Sequence, residues 1–206
     1  MDDQMTDRQF SWGLANGIMV LAIAGVFWFG WGFGPHLGDG GWILPAAFTI
    51  VVYGTCGVIV WKAVVLRRRT GFKLSELKEG EERQRAESRK ILVGFRRTAI
   101  AQAALIAVGV PACFLLKREE LVAPWIALIV SLHFISLGRI FHVRTYALVG
   151  IAGSAVSLVA CLPSLGVDRL MFLGGTMGAL LWLSAGYLLW RADRIGARAV
   201  AEPWSE

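Results

Sequence analysis

Acidic residues are missing from every long apolar run of this 206-residue chain. All 15 Asp and Glu residues fall in the connections between the runs or in the terminal segments. Proton- and sodium-coupled transporters usually carry an acidic side chain inside the membrane, and voltage sensors carry a series of arginines there. The sequence has neither pattern, so both classes of protein are disfavoured.

Metal-binding and catalytic motifs are also missing. The chain has three His and three Cys residues, and none of them occurs in an HxxxH, HExxH or CxxC spacing. We therefore expect no metal and no other cofactor, and no nucleophile–base pair identifies a catalytic residue. Cys113 and Cys161 are predicted at a similar depth, so the sequence leaves open whether they form a disulfide or remain buried thiols.

What the chain does contain is six long apolar runs. Its residues are 56% hydrophobic with a mean hydropathy of +0.58, which is too apolar for an ordinary soluble domain. A helix needs about 20 apolar residues to cross about 30 Å of hydrocarbon. The runs therefore predict an all-α, polytopic membrane protein, a single bundle of six transmembrane helices. The predicted spans are 12–34, 42–66, 97–116, 121–138, 145–164 and 170–190.

The basic residues predict how the chain is oriented in the membrane. Of the 21 Lys and Arg residues, 18 fall in the termini and in every second connection, and only Lys117, Arg118 and Arg169 fall on the other side. Basic residues near span ends favour the cytoplasmic side. We therefore expect both termini in the cytoplasm of a bacterial cell, with the first span retained in the inner membrane. The positive charge indicates contact with anionic lipids rather than nucleic acid.

The segment 67–96 between the second and third runs is the only sizeable polar part of the chain. It is rich in helix-forming residues and in charges of both signs. No helix breaker separates it from the third run. It is therefore predicted to be a cytosolic helical hairpin whose second arm continues into the third span. A docking site for a soluble partner is the alternative to a solvated connector.

Small residues recur at helical spacing in the last two runs. The fifth run contains Gly150 and Gly153, and the sixth contains Gly174, Gly175 and Gly178. Such small-xxx-small patterns let helix backbones approach closely. The contact could be within one chain, between two copies in a homo-oligomer, or with another membrane protein.

The most unusual residue inside the runs is His133, because ionisable groups in hydrocarbon are costly. It lies six residues before Arg139, on the order of 9 Å below the cytoplasmic boundary. Other runs carry polar residues at comparable depth, and more basic residues stand at the mouth of the same region. The candidate ligand-binding residues are His133, Asn16, Gln102, Ser136, Ser184, Arg139, His142 and Arg144. Hydrogen bonding between helices is the alternative role for the buried members.

The stretch from His133 to Tyr146 begins with His-Phe, has Ser136 three residues after the histidine, and continues to Phe141 and Tyr146. It resembles an H-F-x-[PS]-x-x-x-x-[FY]-x-x-x-x-Y signature of small bacterial integral membrane proteins of about six spans. That family has no assigned activity. The resemblance implies that His133, Phe141 and Tyr146 form a local structural unit, and it implies no reaction.

These patterns favour two functions. The first is binding or passage of a small molecule or lipid through a polar pocket that faces the cytosol around His133. The second is a structural or regulatory subunit that packs against another membrane protein through its glycine-rich helices. An enzyme ranks third, because no catalytic set can be assembled from the sequence.

Overall fold

The computed structural model describes residues 2–38, 43–69, 82–162 and 168–201, and the chain in these ranges is helical apart from turns and short connections. No β-strand occurs in the described ranges, which confirms the all-α prediction. The six long helices in them are α1 (Asp2–Phe33), α2 (Ile43–Arg69), α3 (Glu82–Leu115), α4 (Val122–Ile140), α5 (Arg144–Ala160) and α6 (Arg169–Ala201).

Five of these helices are long and apolar enough to cross a membrane. They are α1, α2, α3, α4 and α6. Helix α5 is apolar but has only 17 residues, and a rise of about 1.5 Å per residue gives it a length of roughly 25 Å. Five of the six predicted spans therefore correspond to helices of sufficient length, and the sixth, in α5, stays a prediction.

The helices pack in the order α2, α1, α6, α5, α4 and α3, with α2 also touching α6 and α4 also touching α6. Basic residues such as Arg96, Arg139 and Arg144 lie at one end of the bundle, which we call the basic end. His36 and Asp168 lie at the opposite end, where their side chains are 3.5 Å apart. Each helix runs from one of these ends to the other.

Helices α1 and α6 form the most extensive pair. Gly32 and Gly174 bring the two backbones together at their crossing, and the Gly178 position faces the ring of Phe29. The indole of Trp182 on α6 donates a hydrogen bond of 3.0 Å to the carbonyl oxygen of Ala22 on α1. A side chain that reaches a backbone acceptor on the neighbouring helix restricts the rotation of the two helices about their axes.

Helices α4 and α5 also meet at small residues. Gly138 faces Ala147, and Gly150 and Gly153 face the turn of α4 that contains Ser131. The Ser131 hydroxyl donates to the Ala127 carbonyl oxygen on its own helix at 2.7 Å, so it is satisfied despite its burial. The glycines predicted to promote packing therefore do so inside this chain, at α4–α5 and at α1–α6.

Helix α3 is the least embedded of the long helices. No residue in its apolar segment from Arg89 to Leu115 is buried, whereas half of the corresponding segment of α6 is. Its contacts with α4 include the indole of Trp125, which seats against Gly109 and donates a 3.2 Å hydrogen bond to the Leu105 carbonyl oxygen. Near the basic end, Gly94 lies against the side chain of Ile140.

Residues 82–96, the second arm of the predicted connector, belong to helix α3. Helix α3 begins at Glu82 and runs without interruption to Leu115, so the polar segment and the apolar span form one helix. The first arm of the predicted hairpin, residues 70–81, lies outside the described residues. Helix α6 continues past the predicted boundary at residue 190 as far as Ala201.

Candidate functional site

His133 lies in the contact between α4 and α3. Its imidazole packs edge-on against the ring of Phe95, with centroids 6.2 Å apart, and the ring lies near the backbone of Thr98 on α3. The Nδ1 atom is buried and has no hydrogen-bond partner among the described residues.

An unpaired buried nitrogen is costly. Leaving a buried donor or acceptor without a partner costs about 1–3 kcal/mol, and hydrocarbon supplies no water to compensate. In the part of the chain that the structure describes, His133 Nδ1 is the one buried side-chain nitrogen or oxygen in this condition. The site can therefore gain free energy from a group that hydrogen-bonds to Nδ1.

The other polar residues predicted beside His133 divide between two helix pairs. Gln102 is half-buried on α3, one turn from Thr98, and belongs to the α3–α4 side with His133. Asn16 on α1 is half-buried and Ser184 on α6 is buried, and these belong to the α1–α6 pair. Whether they share one cavity with His133 stays a prediction.

The two predicted serines are satisfied within their own helices. Ser184 donates to the carbonyl oxygen of Leu180 at 2.7 Å, and Ser136 donates to that of Leu132 at 3.4 Å. This i to i−4 bond is the usual way in which a hydroxyl is accommodated in a membrane helix. Neither serine requires a ligand to satisfy its hydrogen bonding.

Tyr146, which the resemblance groups with His133 and Phe141, is a buried polar residue whose contact with α1 the sequence analysis did not predict. It is 6% exposed, and its hydroxyl reaches across from α5 to Gly17 on α1. Its ring is 6.3 Å from that of Phe134 and 6.5 Å from that of Phe141. The aromatic pair of Phe141 and Tyr146 is a local unit, whereas His133 contacts α3. Gly17 was the only feature of the sequence that could have indicated this contact. Helical periodicity alone does not pair a glycine with a tyrosine 129 residues later.

The basic residues of the candidate set stand at the basic end. Arg139, His142 and Arg144 are exposed, and so are Arg96 and Arg97, which follow Phe95 on α3. None of the four arginines forms an ion pair with a carboxylate that the structure describes. His142 has a φ of 54° in the tight turn between α4 and α5, so its backbone conformation serves the turn.

A concave surface lies at the end of the bundle opposite the basic end. It is an open cleft of about 480 Å³ between the end of α1 and the starts of α4 and α6. Acidic and basic side chains line it together, and the sequence analysis did not place them in one site. They are Glu119, Glu120, Asp168 and Arg169, with Trp31 and Leu170 among their apolar neighbours.

Asp168 has a structural role in this cleft. Its Oδ1 accepts a 2.8 Å hydrogen bond from the backbone N–H of Met171 in the first turn of α6. This bond holds the pKa of the Asp168 carboxyl below its ordinary value, and the nearby imidazole of His36 acts in the same direction. A carboxylate at this position is the typical N-terminal cap of a helix.

The described residues contain no group of three His, Cys, Asp or Glu side chains that could hold a metal ion. All three cysteines are free. Cys113 on α3 and Cys161 at the end of α5 are therefore separate thiols, and no disulfide joins them.

Comparison with known proteins adds no assignment. No protein-family model matches the chain, and neither a curated protein nor a solved structure is significantly similar to it. The resemblance of the His133–Tyr146 stretch to the six-span family therefore stays a prediction. The function has to be argued from the geometry of the bundle.

Proposed function

We propose that this protein binds a small molecule or lipid at the α3–α4 junction of a six-span bundle, in a site that opens toward the cytosol. The observation that carries the proposal is the buried His133 Nδ1 without a partner among the described residues. A ligand that hydrogen-bonds to this atom removes an energetic cost, so ligand binding and stability are coupled.

The limited burial of α3 against the other helices supports access to this site. Phe95 and the α3 backbone cover His133, and α3 has no buried residue between Arg89 and Leu115. A small displacement of α3 would therefore uncover Nδ1 with little loss of packing. Leu132, next to His133, is 45% exposed, so the bundle does not fully cover this part of α4.

The membrane orientation is part of the proposal. The excess of Lys and Arg at the basic end favours a cytoplasmic position for that end and for both termini, in a bacterial inner membrane. A sixth crossing by α5 is supported by its place between α4 and α6. Its length of about 25 Å is close to the hydrocarbon thickness of about 30 Å.

The alternative function, a subunit that packs against another membrane protein, loses its main argument. The glycines that suggested it, Gly150, Gly153, Gly174 and Gly178, all face neighbouring helices of this chain. Their small size is explained without a partner.

Ligand-dependent melting tests the site. We expect a bacterial polar lipid extract to raise the melting temperature of the detergent-solubilised protein, and His133→Phe to abolish that rise. Phenylalanine keeps an aromatic ring against Phe95 but removes the nitrogens. Ser136→Ala is the matched control, because its hydroxyl is bonded within α4. An equal rise in wild type and His133→Phe would refute a site at His133.

Cysteine labelling in intact cells tests the orientation. In a variant whose native cysteines are replaced by alanine, Arg83→Cys should be protected from a membrane-impermeant maleimide, and Lys117→Cys should react. The reverse result would place the basic end outside the cell and remove the proposed access from the cytosol.

A further inference from the structure

We infer that helix α3 is the gate of the His133 site: it stays attached to α4 near Trp125 and swings away from α4 at the basic end, which uncovers the imidazole. This inference rests on the proposed binding site and names how access to that site is controlled. It depends on a fixed end of α3, a weak point in the helix beside that end, and lightly held contacts over His133.

The end of α3 opposite the basic end is fixed to α4. Six residues, 116–121, join the two helices, and α3 also packs against the short helix Glu119–Leu121 within them. Slightly further along α3, the Trp125 indole donates a hydrogen bond to the Leu105 carbonyl oxygen and fills the space beside Gly109. A short covalent connection and a specific side-chain contact therefore both restrain this end of α3.

The α3 helix has a weak point beside this attachment. Pro111 lies inside the helix, two residues beyond Gly109. Proline has no backbone N–H, so the carbonyl oxygen of Ala107 lacks its usual helical partner, and a helix bends most readily at such a site. The missing bond spans residues 107–111, the turn that also contains Gly109. From this turn back to Glu82 the helix is unbroken, so a bend here turns the rest of α3 as one unit.

The contacts that α3 makes over His133 are lightly held. Phe95 packs edge-on against the imidazole and is still 42% exposed. A Cβ on Gly94 would lie at the ordinary contact distances of 3.4–3.8 Å from the Ile140 side chain. The Thr98 hydroxyl donates to the Phe95 carbonyl oxygen within α3, so this hydroxyl does not tie α3 to α4. No residue in the apolar segment of α3 is buried, and separation at this end therefore loses little packing.

The length of α3 makes a small tilt sufficient. Phe95 lies 14 residues from Gly109, about 21 Å along the helix. A tilt of about 10° at Gly109 therefore carries Phe95 about 4 Å away from His133, given the rise per residue of a helix. A ligand atom that hydrogen-bonds to Nδ1 needs a distance of about 3 Å, so a swing of this size admits it. At Leu105 the same tilt moves the backbone by only about 1 Å, which keeps the contact with Trp125.

A reversible cross-link at the basic end tests the gate. In a variant whose native cysteines are replaced by alanine, Gly94→Cys/Ile140→Cys brings two thiols within reach of a disulfide, because a Cβ on Gly94 lies 3.5 Å from the Ile140 Cγ1. We expect the bacterial polar lipid extract to raise the melting temperature of the reduced protein as in wild type. The oxidised protein should lose most of that rise, and reduction should restore it. Gly94→Cys and Ile140→Cys alone, treated with the same oxidant, should keep the full rise.

Spin labels at the two ends of α3 test the pivot. Labels at Leu92 and Arg144 measure the distance from α3 to α5 at the basic end, and labels at Leu115 and Met171 measure the distance from α3 to α6 at the fixed end. All four positions are exposed. We expect the lipid extract to lengthen or broaden the first distance and to leave the second unchanged. In His133→Phe the lipid extract should change neither distance.

The failure of this inference differs from the failure of the proposed function. If the oxidised cross-linked protein keeps the full lipid response while His133→Phe abolishes it, the site stands and the gate is wrong. If the lipid extract changes both label distances equally, α3 shifts as a whole and the pivot is wrong. If His133→Phe responds as wild type does, or if wild type does not respond, the proposed site itself is wrong.

Discussion

Gly32 of α1 and Gly174 of α6 face each other with no side chain between them. A Cβ on Gly32 would lie 2.6 Å from the Cα of Gly174 and 2.9 Å from the carbonyl oxygen of Leu170. Both neighbours are backbone atoms, so neither can rotate away as a side chain does. This contact brings the backbones of α1 and α6, the first and last long helices described, directly together.

Replacing Gly32 should therefore destabilise the protein. We expect Gly32→Ala to lower the free energy of unfolding by about 1–3 kcal/mol, because the two helices must separate to admit the methyl group. Gly30→Ala is the matched control on the same helix, since nothing lies within 4 Å of its Cβ position. It should be neutral or slightly stabilising, because alanine favours a helix over glycine. Unfolding in mixed detergent micelles measures both changes, and equal effects would contradict the close crossing.

Replacing Tyr146 should restore part of the stability that is lost when Gly17 is replaced. A Cβ on Gly17 overlaps the Tyr146 hydroxyl, while the next ring atom lies 3.1 Å away. We expect Gly17→Ala to cost about 1–3 kcal/mol and the added Tyr146→Phe to recover part of that loss. The double variant should thus be more stable than the sum of the single effects implies.

The control for this pair is Gly13→Ala, one turn earlier on α1, where nothing lies within 4 Å of the Cβ position. The coupling is obtained from the free energies of unfolding of wild type, the two single variants and the double variant, measured together with this control. Strict additivity of the two substitutions would show that the hydroxyl and Gly17 are not in contact.

Gly109 should hold α3 against α4. The Trp125 indole occupies the space beside Gly109 and donates to Leu105, so Gly109→Ala must displace the indole and break that hydrogen bond. We expect the distance between spin labels at Ala104 on α3 and Leu132 on α4 to become longer or more broadly distributed. Gly54→Ala on α2, an open position, should leave the distance unchanged. An unaltered distance in Gly109→Ala would mean that other contacts hold α3.

Asp168 should make stability depend on pH in the acid range. Its pKa is lowered in the folded protein by the Met171 N–H and by His36. The unfolded carboxyl therefore binds a proton more readily than the folded one. The stabilisation is complete above the ordinary carboxyl pKa of 3.8, and it is lost as the pH falls through the lower folded value.

Asp168→Asn tests this linkage, because asparagine still caps a helix but carries no charge. Wild type should melt above Asp168→Asn at about pH 6, and the difference should shrink toward about pH 3, where the carboxyl of the unfolded chain is mostly protonated. If the difference in melting temperature stayed constant over that range, the charge of Asp168 would not be its cause. The contribution is modest, because the side chain is 47% exposed and solvent screens its partners.

Much of the fold follows from local features of the sequence. The helix boundaries of α2 and α4 match the predicted spans closely, because long apolar runs and the charges at their ends act within a single helix. The same local logic predicted that α3 would extend from the polar connector. Helix α5 is shorter than its predicted span because it ends at Ala160, and sequence hydropathy continues beyond that residue.

The candidate site was predictable only in part. His133 stood out because a histidine in an apolar run is unusual, and it does contain the buried atom that lacks a partner among the described residues. The neighbours of His133 were not predictable. The sequence indicates how far along its helix a residue lies, but it does not indicate which other helix that residue faces. Ser136 and Ser184 share its approximate depth but bond within their own helices.

The sequence by itself determined the helical class of this chain, the apolar length of its helices and the helix ends at which its basic residues gather, because hydrophobicity and charge act one residue at a time. The tertiary structure decided which helices are neighbours, and with that the meaning of each small or polar residue. Gly32 and Gly30 are two residues apart in one helix, yet only Gly32 meets a backbone. Packing between helices is specified by shape at the contact, and residues from distant parts of the chain create that shape together.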